Sequence, residues 1–415
     1  MQARFLIAMA HVALFTLFSS VAVAQNGFPG GGARPSGHGH WPMPVGSRPI
    51  ANSPTTTSET GQAAFQFRSG PASSPNQAVM QTGHNRVFQR LVEGECKDGK
   101  CSGKDCCPAT YHFRAYGEYL YLRARDVEVP YAVESNLNIP TNVNPPIQTS
   151  PIALVDQDYS SGFRAGLALV LDERTELAAT YTWFESSADH HITRNPGQPI
   201  LQILPMVSHP STQTAITGTV EASATADIDF DLIDLDLRRV LAQSCQTDLF
   251  GTVGVRYGRL EQGFEAQFFN GPTAAPLDAR VMTDIDFEGI GLKLGLDGDY
   301  YATRLPVMGY MKGAVSLLAG EFNASYQQFA VEQPDPEVNT SWSAGRIVPT
   351  FDLEVGGGFY SPDGHLRATV GYAYSVWANM VKTDDWIHGV QGNAFRNMDG
   401  AVTFDGLVLR VEGRF

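Results

Sequence analysis

The chain is short of charge. Asp, Glu, Lys and Arg make up 17% of its 415 residues, where a water-soluble protein carries about 25%. The deficit is not made good by grease, because mean hydropathy is slightly polar at −0.15. Long apolar runs are also missing. The longest, Phe5 to Phe18, falls short of the roughly 20 residues that an α-helix needs to span a bilayer. Positive charge is in deficit too: the net charge is −14, which removes the electrostatic basis for binding nucleic acid. Sequence patterns for a nucleophile elbow, a zinc protease helix or a phosphate-binding loop do not occur. No cofactor is implied, and the expectation is a protein that is not an enzyme.

What is there begins with an export signal. Arg4 precedes the apolar run, and Ala22-Val23-Ala24 follows it. A charged start, an apolar stretch and a small-x-small site predict cleavage after Ala24, and losing Arg4 takes the net charge from −14 to −15. Residues 25–95 are rich in Gly, Pro, Ser and Thr, and include Pro29-Gly30-Gly31-Gly32. Such a leader buries too little apolar surface to offset chain entropy and is expected to be disordered. His38 and His40 within it are read as solvated. Residues 96–110 hold Cys96, Cys101, Cys106 and Cys107. In an exported chain these are disulfide candidates; zinc is the alternative, although the paired C-x-x-C spacing of zinc knuckles is absent. Cys245 is either free or an odd partner.

From Tyr111 the pattern changes to alternation with a period of two, the mark of strands with one apolar and one polar face. Ten segments are predicted: Tyr111 to Arg123, Tyr159 to Leu171, Glu176 to Ser186, Ala226 to Leu241, Asp248 to Glu261, Phe287 to Leu296, Val307 to Tyr326, Ile347 to Tyr360, Leu366 to Val381 and Val402 to Phe415. In the fourth, apolar residues shift from even positions (Ile228, Phe230, Leu232) to odd ones (Ile233, Leu235, Leu237). A one-residue slip reverses the faces, so a β-bulge near Leu232-Ile233 is expected. The connections alternate long and short along the chain, as in outer-membrane barrels with short periplasmic turns and long outer loops. A soluble sandwich would not require that alternation. Closure leaves no sheet edge bare in lipid. Tyr119, Tyr121, Tyr181, Trp183, Tyr257, Tyr372, Tyr374 and Phe415 are candidates for interfacial girdles. The fold class expected for residues 111–415 is therefore all-β: an antiparallel up-and-down transmembrane β-barrel of about ten strands, within a range of roughly 8–12.

The final strand, with Leu407, Leu409, Val411 and Phe415 on one face, resembles the C-terminal assembly signal of bacterial outer-membrane barrels. Over residues 111–415 the chain also resembles the Legionella-type major outer membrane protein family. The matching stretches are Ala115-Tyr116-Gly117-Glu118-Tyr119-Leu120-Tyr121-Leu122, Asp286 to Leu296, Gly371-Tyr372-Ala373-Tyr374-Ser375-Val376-Trp377 and Asp405-Gly406-Leu407-Val408-Leu409-Arg410. The resemblance implies a pore-forming outer-membrane barrel. The leader and its cysteines depart from that pattern and inherit nothing from it. It is the even strand count that is expected to leave both termini, and so the leader, on the periplasmic side.

If the apolar faces meet lipid, the opposite faces line the lumen. They would carry Arg114, Glu118, Arg164, Glu176, Asp234, Asp236, Arg256, Lys293, Lys312, Asp352, Glu354, Arg367, Arg410 and Glu412. An Arg or Lys at the lipid midplane would cost about 2–4 kcal/mol. These residues are candidates either for a solute-selecting lining or for a ladder of ion pairs filling a narrow tube. Ten strands lie near the narrow end, since wide channels need about 16–18. Porin-like passage of small solutes is one expectation, and a non-conducting barrel that is structural or works through its loops is the other. Asp189-His190-His191, above the third strand, lacks an identifiable partner for acid–base work. The expected partners are outer-membrane lipid, the barrel assembly machinery, small solutes and a second copy of the chain.

Overall fold

The computed structural model describes residues 112–415 apart from 137–146, 173, 196, 198–200, 213–218, 245, 271–276, 331–333, 363 and 397. Ten antiparallel strands close into a barrel. In chain order they are β1 (Phe113–Arg125), β5 (Ser160–Asp172), β6 (Thr175–Thr193), β8 (Glu221–Gln243), β9 (Thr247–Phe269), β10 (Leu277–Tyr301), β11 (Val307–Ala330), β12 (Val338–Tyr360), β13 (Leu366–Met380) and β14 (Gly400–Arg414). Each of the ten predicted segments falls on one of them. β1 pairs with both β5 and β14, and the last pairing seals the ring from Arg114↔Arg414 to Arg125↔Thr403. Four more strands lie outside the ring: β2 (Val129–Asn136), β3 (Ile147–Gln148), β4 (Ala153–Val155) and β7 (Leu201–Pro205). An α-helix, α1 (Thr383–Gly392), joins β13 to β14. No described helix is long and apolar enough to cross a membrane, so any crossing by the described residues is made by strands.

The expected bulge at Leu232-Ile233 is not present. β8 pairs without interruption there, Leu232 with Thr182 and Gly258, and Ile233 with Tyr181 and Tyr257. Its even residues look inward along the whole strand; what changes is the environment. Toward the long-loop end Ile228, Phe230 and Leu232 are buried inside while the outward neighbours are Asp227, Asp229 and Asp231. Toward the short-turn end Ile233, Leu235 and Leu237 are exposed outside while Asp234 and Asp236 are buried inside. One strand meets water on its outer face at one end and lipid at the other.

The same inversion occurs at the same height on neighbouring strands. On β10 the outward residues pass from Asp284, Asp286 and Glu288 to Ile290, Leu292, Leu294 and Leu296. On β11 they pass from Glu321 to Ala319 and Leu317, and on β14 from Asp405 to Leu407. Register links the boundary across the wall: Trp183 lies opposite Asp231, Asp231 opposite Arg259, Arg259 opposite Glu288 and Glu288 opposite Glu321. Just inside the apolar band, tyrosines reach back to carboxylates above it. Tyr181 donates to Asp231 at 2.5 Å, Tyr257 donates to Glu288 at 2.9 Å, and Tyr372 donates to Asp405. This is the amphipathic arrangement of an interfacial girdle. From Ile290 to Tyr300, at 3.3 Å per residue and a tilt of about 40°, the band is about 25 Å tall, which matches the apolar belt of outer-membrane barrels.

The strands are unequal. β6 and β8 to β12 rise well beyond the boundary, whereas β5, β13, β14 and β1 stop near it. Much of what reads in sequence as long outer loops is therefore wall; β9, for example, runs on to Phe269 and β10 starts at Leu277. Above the membrane the ring becomes an open, curved sheet. The small sheet of β2, β3, β4 and β7, together with α1, fills its hollow.

Candidate functional site

The inward faces of the membrane-spanning wall hold charge. All fourteen lumen residues anticipated from the sequence point inward, and each has at least one ion-pair partner. Glu412 on β14 is a hub, 2.7 Å from Arg410, 2.8 Å from Arg414, 3.3 Å from Arg114 and 3.5 Å from Arg367. Glu176 lies 2.7 Å from both Arg114 and Arg238. Glu118 joins Arg164 at 2.6 Å and Arg410 at 2.9 Å, while Glu354 joins Lys312 at 2.9 Å. A second cluster sits across the lumen. Arg256 grips Asp234 with two nitrogens at 2.7 and 3.0 Å and donates to Asp352 at 2.6 Å. Lys293 bridges Asp234 and Asp236, each at 2.7 Å. Forked guanidinium pairs of this kind fix geometry as well as charge.

Three members escaped the sequence reading. Arg238 pairs with Asp297 at 2.9 Å, and Asp299 with Arg367 at 2.8 Å. Arg238 shares the even phase of Asp234 and Asp236, so parity marks it. Asp297 and Asp299 lie beyond Leu296, where the sixth predicted segment ended, but β10 runs on to Tyr301. With Arg414 included, nine carboxylates (118, 176, 234, 236, 297, 299, 352, 354 and 412) meet nine cations (114, 164, 238, 256, 293, 312, 367, 410 and 414), so the paired set is neutral. A cavity of about 200 Å³ remains among these groups. Arg114 Nε, Glu176 Oε2, Asp236 Oδ1, Tyr310 Oη and Thr369 Oγ1 are buried without a protein partner, in a space polar and roomy enough for several waters.

Above the charges the interior is apolar and solid. Phe230 packs on Phe404 at 4.7 Å between ring centres and on Phe184 at 5.4 Å, and Phe287 packs on Phe322 at 4.7 Å. Leu120, Leu260, Val348, Trp377 and Val408 complete this layer. α1 caps it with Trp386, Ile387 and Val390. Trp386 Nε1 donates to the Ser325 carbonyl at 2.9 Å, Gln262 to the Val381 carbonyl at 2.8 Å, and Gln391 to the Met206 and Ser208 carbonyls at 2.6 and 3.0 Å. The chain turns inward at residues in the left-handed region: Asp126 before β2, and Asn379 and Asn393 on either side of α1. Asn and Asp tolerate that conformation best after glycine. Sequence reasoning missed this plug because its inward apolar residues were attributed to the lipid face.

His190 accepts from or donates to Tyr131 at 2.9 Å, and His191 faces Glu221 at 2.9 Å. Both lie on the part of β6 above the boundary; burial pushes the Tyr131 hydroxyl up from its ordinary range. Among the described residues no group of three or more His, Cys, Asp or Glu side chains is arranged to hold a metal ion. The disulfide candidates Cys96, Cys101, Cys106 and Cys107 lie outside the described residues, as does Cys245.

The profile of a protein family described as "Legionella pneumophila major outer membrane protein precursor" matches residues 106–412. No curated protein matches the chain. Among solved structures, the outer membrane protease OmpT from Escherichia coli aligns at 10% identity and a TM-score of 0.42, covering 73% of this chain and 97% of its own. The Pseudomonas putida toluene transporter TodX aligns at 6% identity and a TM-score of 0.27, covering 74% of this chain and 91% of its own. At such scores neither activity is read across.

Proposed function

The chain belongs to the Legionella pneumophila major outer membrane protein family, and on that footing we propose that it is a closed barrel that presents its tall outer wall and cap to partners. It is an outer-membrane β-barrel. The observation that carries the closed reading is the filled interior, a lower half in which nine carboxylates and nine cations pair off, with Asp248 opposite Asp299 as a further inward carboxylate, beneath an apolar plug. A pore that selects ions through rings of charged side chains carries an excess of one sign along the path, and here nine carboxylates and nine cations are spent on each other. The reading includes no catalysis. It also places the leader in the periplasm, supported by β1 starting and β14 ending at the short-turn end, and takes outer-membrane lipid and the barrel assembly machinery as partners.

A second reading, porin-like passage of small solutes, is favoured by the polar cavity of about 200 Å³ inside the charged half. Passage would require the plug to leave, with α1 swinging on Asn379 and Asn393. Planar-bilayer recording of the refolded full chain separates the two. A closed barrel gives a silent bilayer once insertion is verified independently. Sustained, discrete single-channel steps sink the closed reading and establish passage.

A further inference from the structure

β12 loses its partner partway up. β13 pairs with it only from Tyr360 to Thr350, while β11 pairs with it as far as Val338. The cause lies in both strands. Pro349 has no N–H to offer, and β13 breaks register between Ala378 and Met380, where Asn379 takes a φ of 61°. Asn379 Nδ2 then donates to the first orphaned carbonyl, that of Ile347, at 2.8 Å. In an antiparallel strand both backbone groups of a residue point to the same side, alternating along the chain. Gly345, Ser343, Ser341 and Asn339 therefore turn their N–H and C=O groups to the bare side, in phase with Ile347 and Pro349. Among the described residues those groups have no backbone partner.

A bare edge is a template for another strand, and proteins guard against it with charge, proline or cover. The opposite edge of the open sheet, on β6, is guarded by the outward Glu185, Asp189 and His191. The β12 edge is not: its outward side chains Asn339, Ser341, Ser343 and Gly345 are small, uncharged and exposed. Behind them Trp342 and Val338 are partly buried against the core, so an added strand would also cover apolar surface. The surrounding wall is acidic, with Glu321 on β11 and Asp284, Asp286 and Glu288 on β10 facing out.

We propose that the edge of β12 from Asn339 to Gly345 is a docking site for an extended, basic segment of another polypeptide, which adds to the sheet where β13 leaves it. Backbone pairing supplies the affinity in this mode of recognition, and the acidic wall selects the sign of the partner's charge. A second copy of the chain does not fit. Copies inserted in one membrane share an up direction, so a two-fold axis along the membrane normal would cross the tilted edges at roughly 70–90° instead of laying them side by side. The proposal rests on the reading of a barrel that presents its outer part to partners.

The test uses the full chain refolded into lipid vesicles and a labelled peptide of alternating threonine and valine flanked by lysines. Anisotropy is expected to show binding, and hydrogen exchange to slow at Asn339–Gly345. Ser343→Pro removes an edge donor without touching the β11 ladder and should weaken binding at least about tenfold, whereas Ser343→Ala should bind as the parent does. On the parent protein, a peptide N-methylated on its edge-facing amides should lose a similar factor, which keeps the test independent of how Ser343→Pro folds. No binding, protection elsewhere, indifference to both proline and methylation, or dimers cross-linked through β12 would each overturn the proposal. Conductance is recorded on the same preparation. A conducting barrel that still binds the peptide removes the closed reading alone, and a silent barrel that ignores the peptide removes the docking edge alone.

Discussion

Leu294→Arg places a cation at the middle of the apolar band on β10. Leu294 is 62% exposed and points away from the barrel, so the substitution deletes almost no internal contact. In water, such a surface change falls within about ±0.5 kcal/mol. In lipid the environment is different. Between Ile290 and Tyr300 the midpoint lies at Leu294 to Leu296, about 12 Å from either interface, where Arg costs about 2–4 kcal/mol. Ile290→Arg, at the rim, should cost about 0–1 kcal/mol, and Asp286→Arg, above it, nothing measurable. Reversible unfolding by guanidinium in phospholipid vesicles reads the three together. A profile peaking at Leu294 is expected. Equal, near-zero costs at all three positions would refute the placement of the bilayer on this band.

Glu412→Gln should destabilise the barrel by about 3–5 kcal/mol in the same assay, because it leaves buried arginines short of their shared carboxylate; a loss below about 1 kcal/mol would mean that lumen water rehydrates them. In the cap, burial and the neighbouring Asp384 hold the Asp385 carboxyl above its ordinary value. The docked helix then binds this proton more tightly than the undocked segment does, so docking weakens as pH rises through the raised pKa and is fully restored below the ordinary carboxylate range. Hydrogen exchange across residues 383–392 should quicken with pH by more than the intrinsic exchange rate requires, and Asp385→Asn should abolish the excess. An unchanged excess in that variant would assign the dependence elsewhere.

The strands were legible because their period of two survives every change of surroundings. All ten predicted segments coincide with wall strands, and the charges of the membrane-spanning wall could be assigned to its inner face by parity alone. What parity cannot supply is the identity of the outside. Ile228-Asp229-Phe230-Asp231 and Ile233-Asp234-Leu235-Asp236 are the same alternation read against opposite solvents. Treating lipid as the outer environment throughout made a phase inversion look like a bulge. The same assumption ended β9 and β11 early and began β12 late, since the polar outward residues Glu265, Gln327 and Ser343 read as loop. The cap was invisible for another reason. β2, β4, β7 and α1 are short, and they are held by long-range partners such as Ser325 for Trp386 and Met206 for Gln391, which no local pattern announces.

The shortage of charge has its physical origin in this division. In the membrane-spanning half the outer face is apolar and only the inner face carries ions, which must arrive in balanced pairs because an unmatched one is costly in a confined space. In the outer half the inner face is mostly apolar, a core packed against a cap with Arg346 lying over Phe322 and Trp342, and charge gathers on the outer face. Each half therefore spends about one residue in two on hydrophobic burial or lipid contact, leaving the average close to neutral hydropathy while long apolar runs never form. The outer face is free of the need for balance, and it is there that carboxylates accumulate along β8 and β10. The acidity that excludes nucleic acid thus resides on the wall that stands outside the membrane, the same wall whose edge at β12 is unguarded among the described residues.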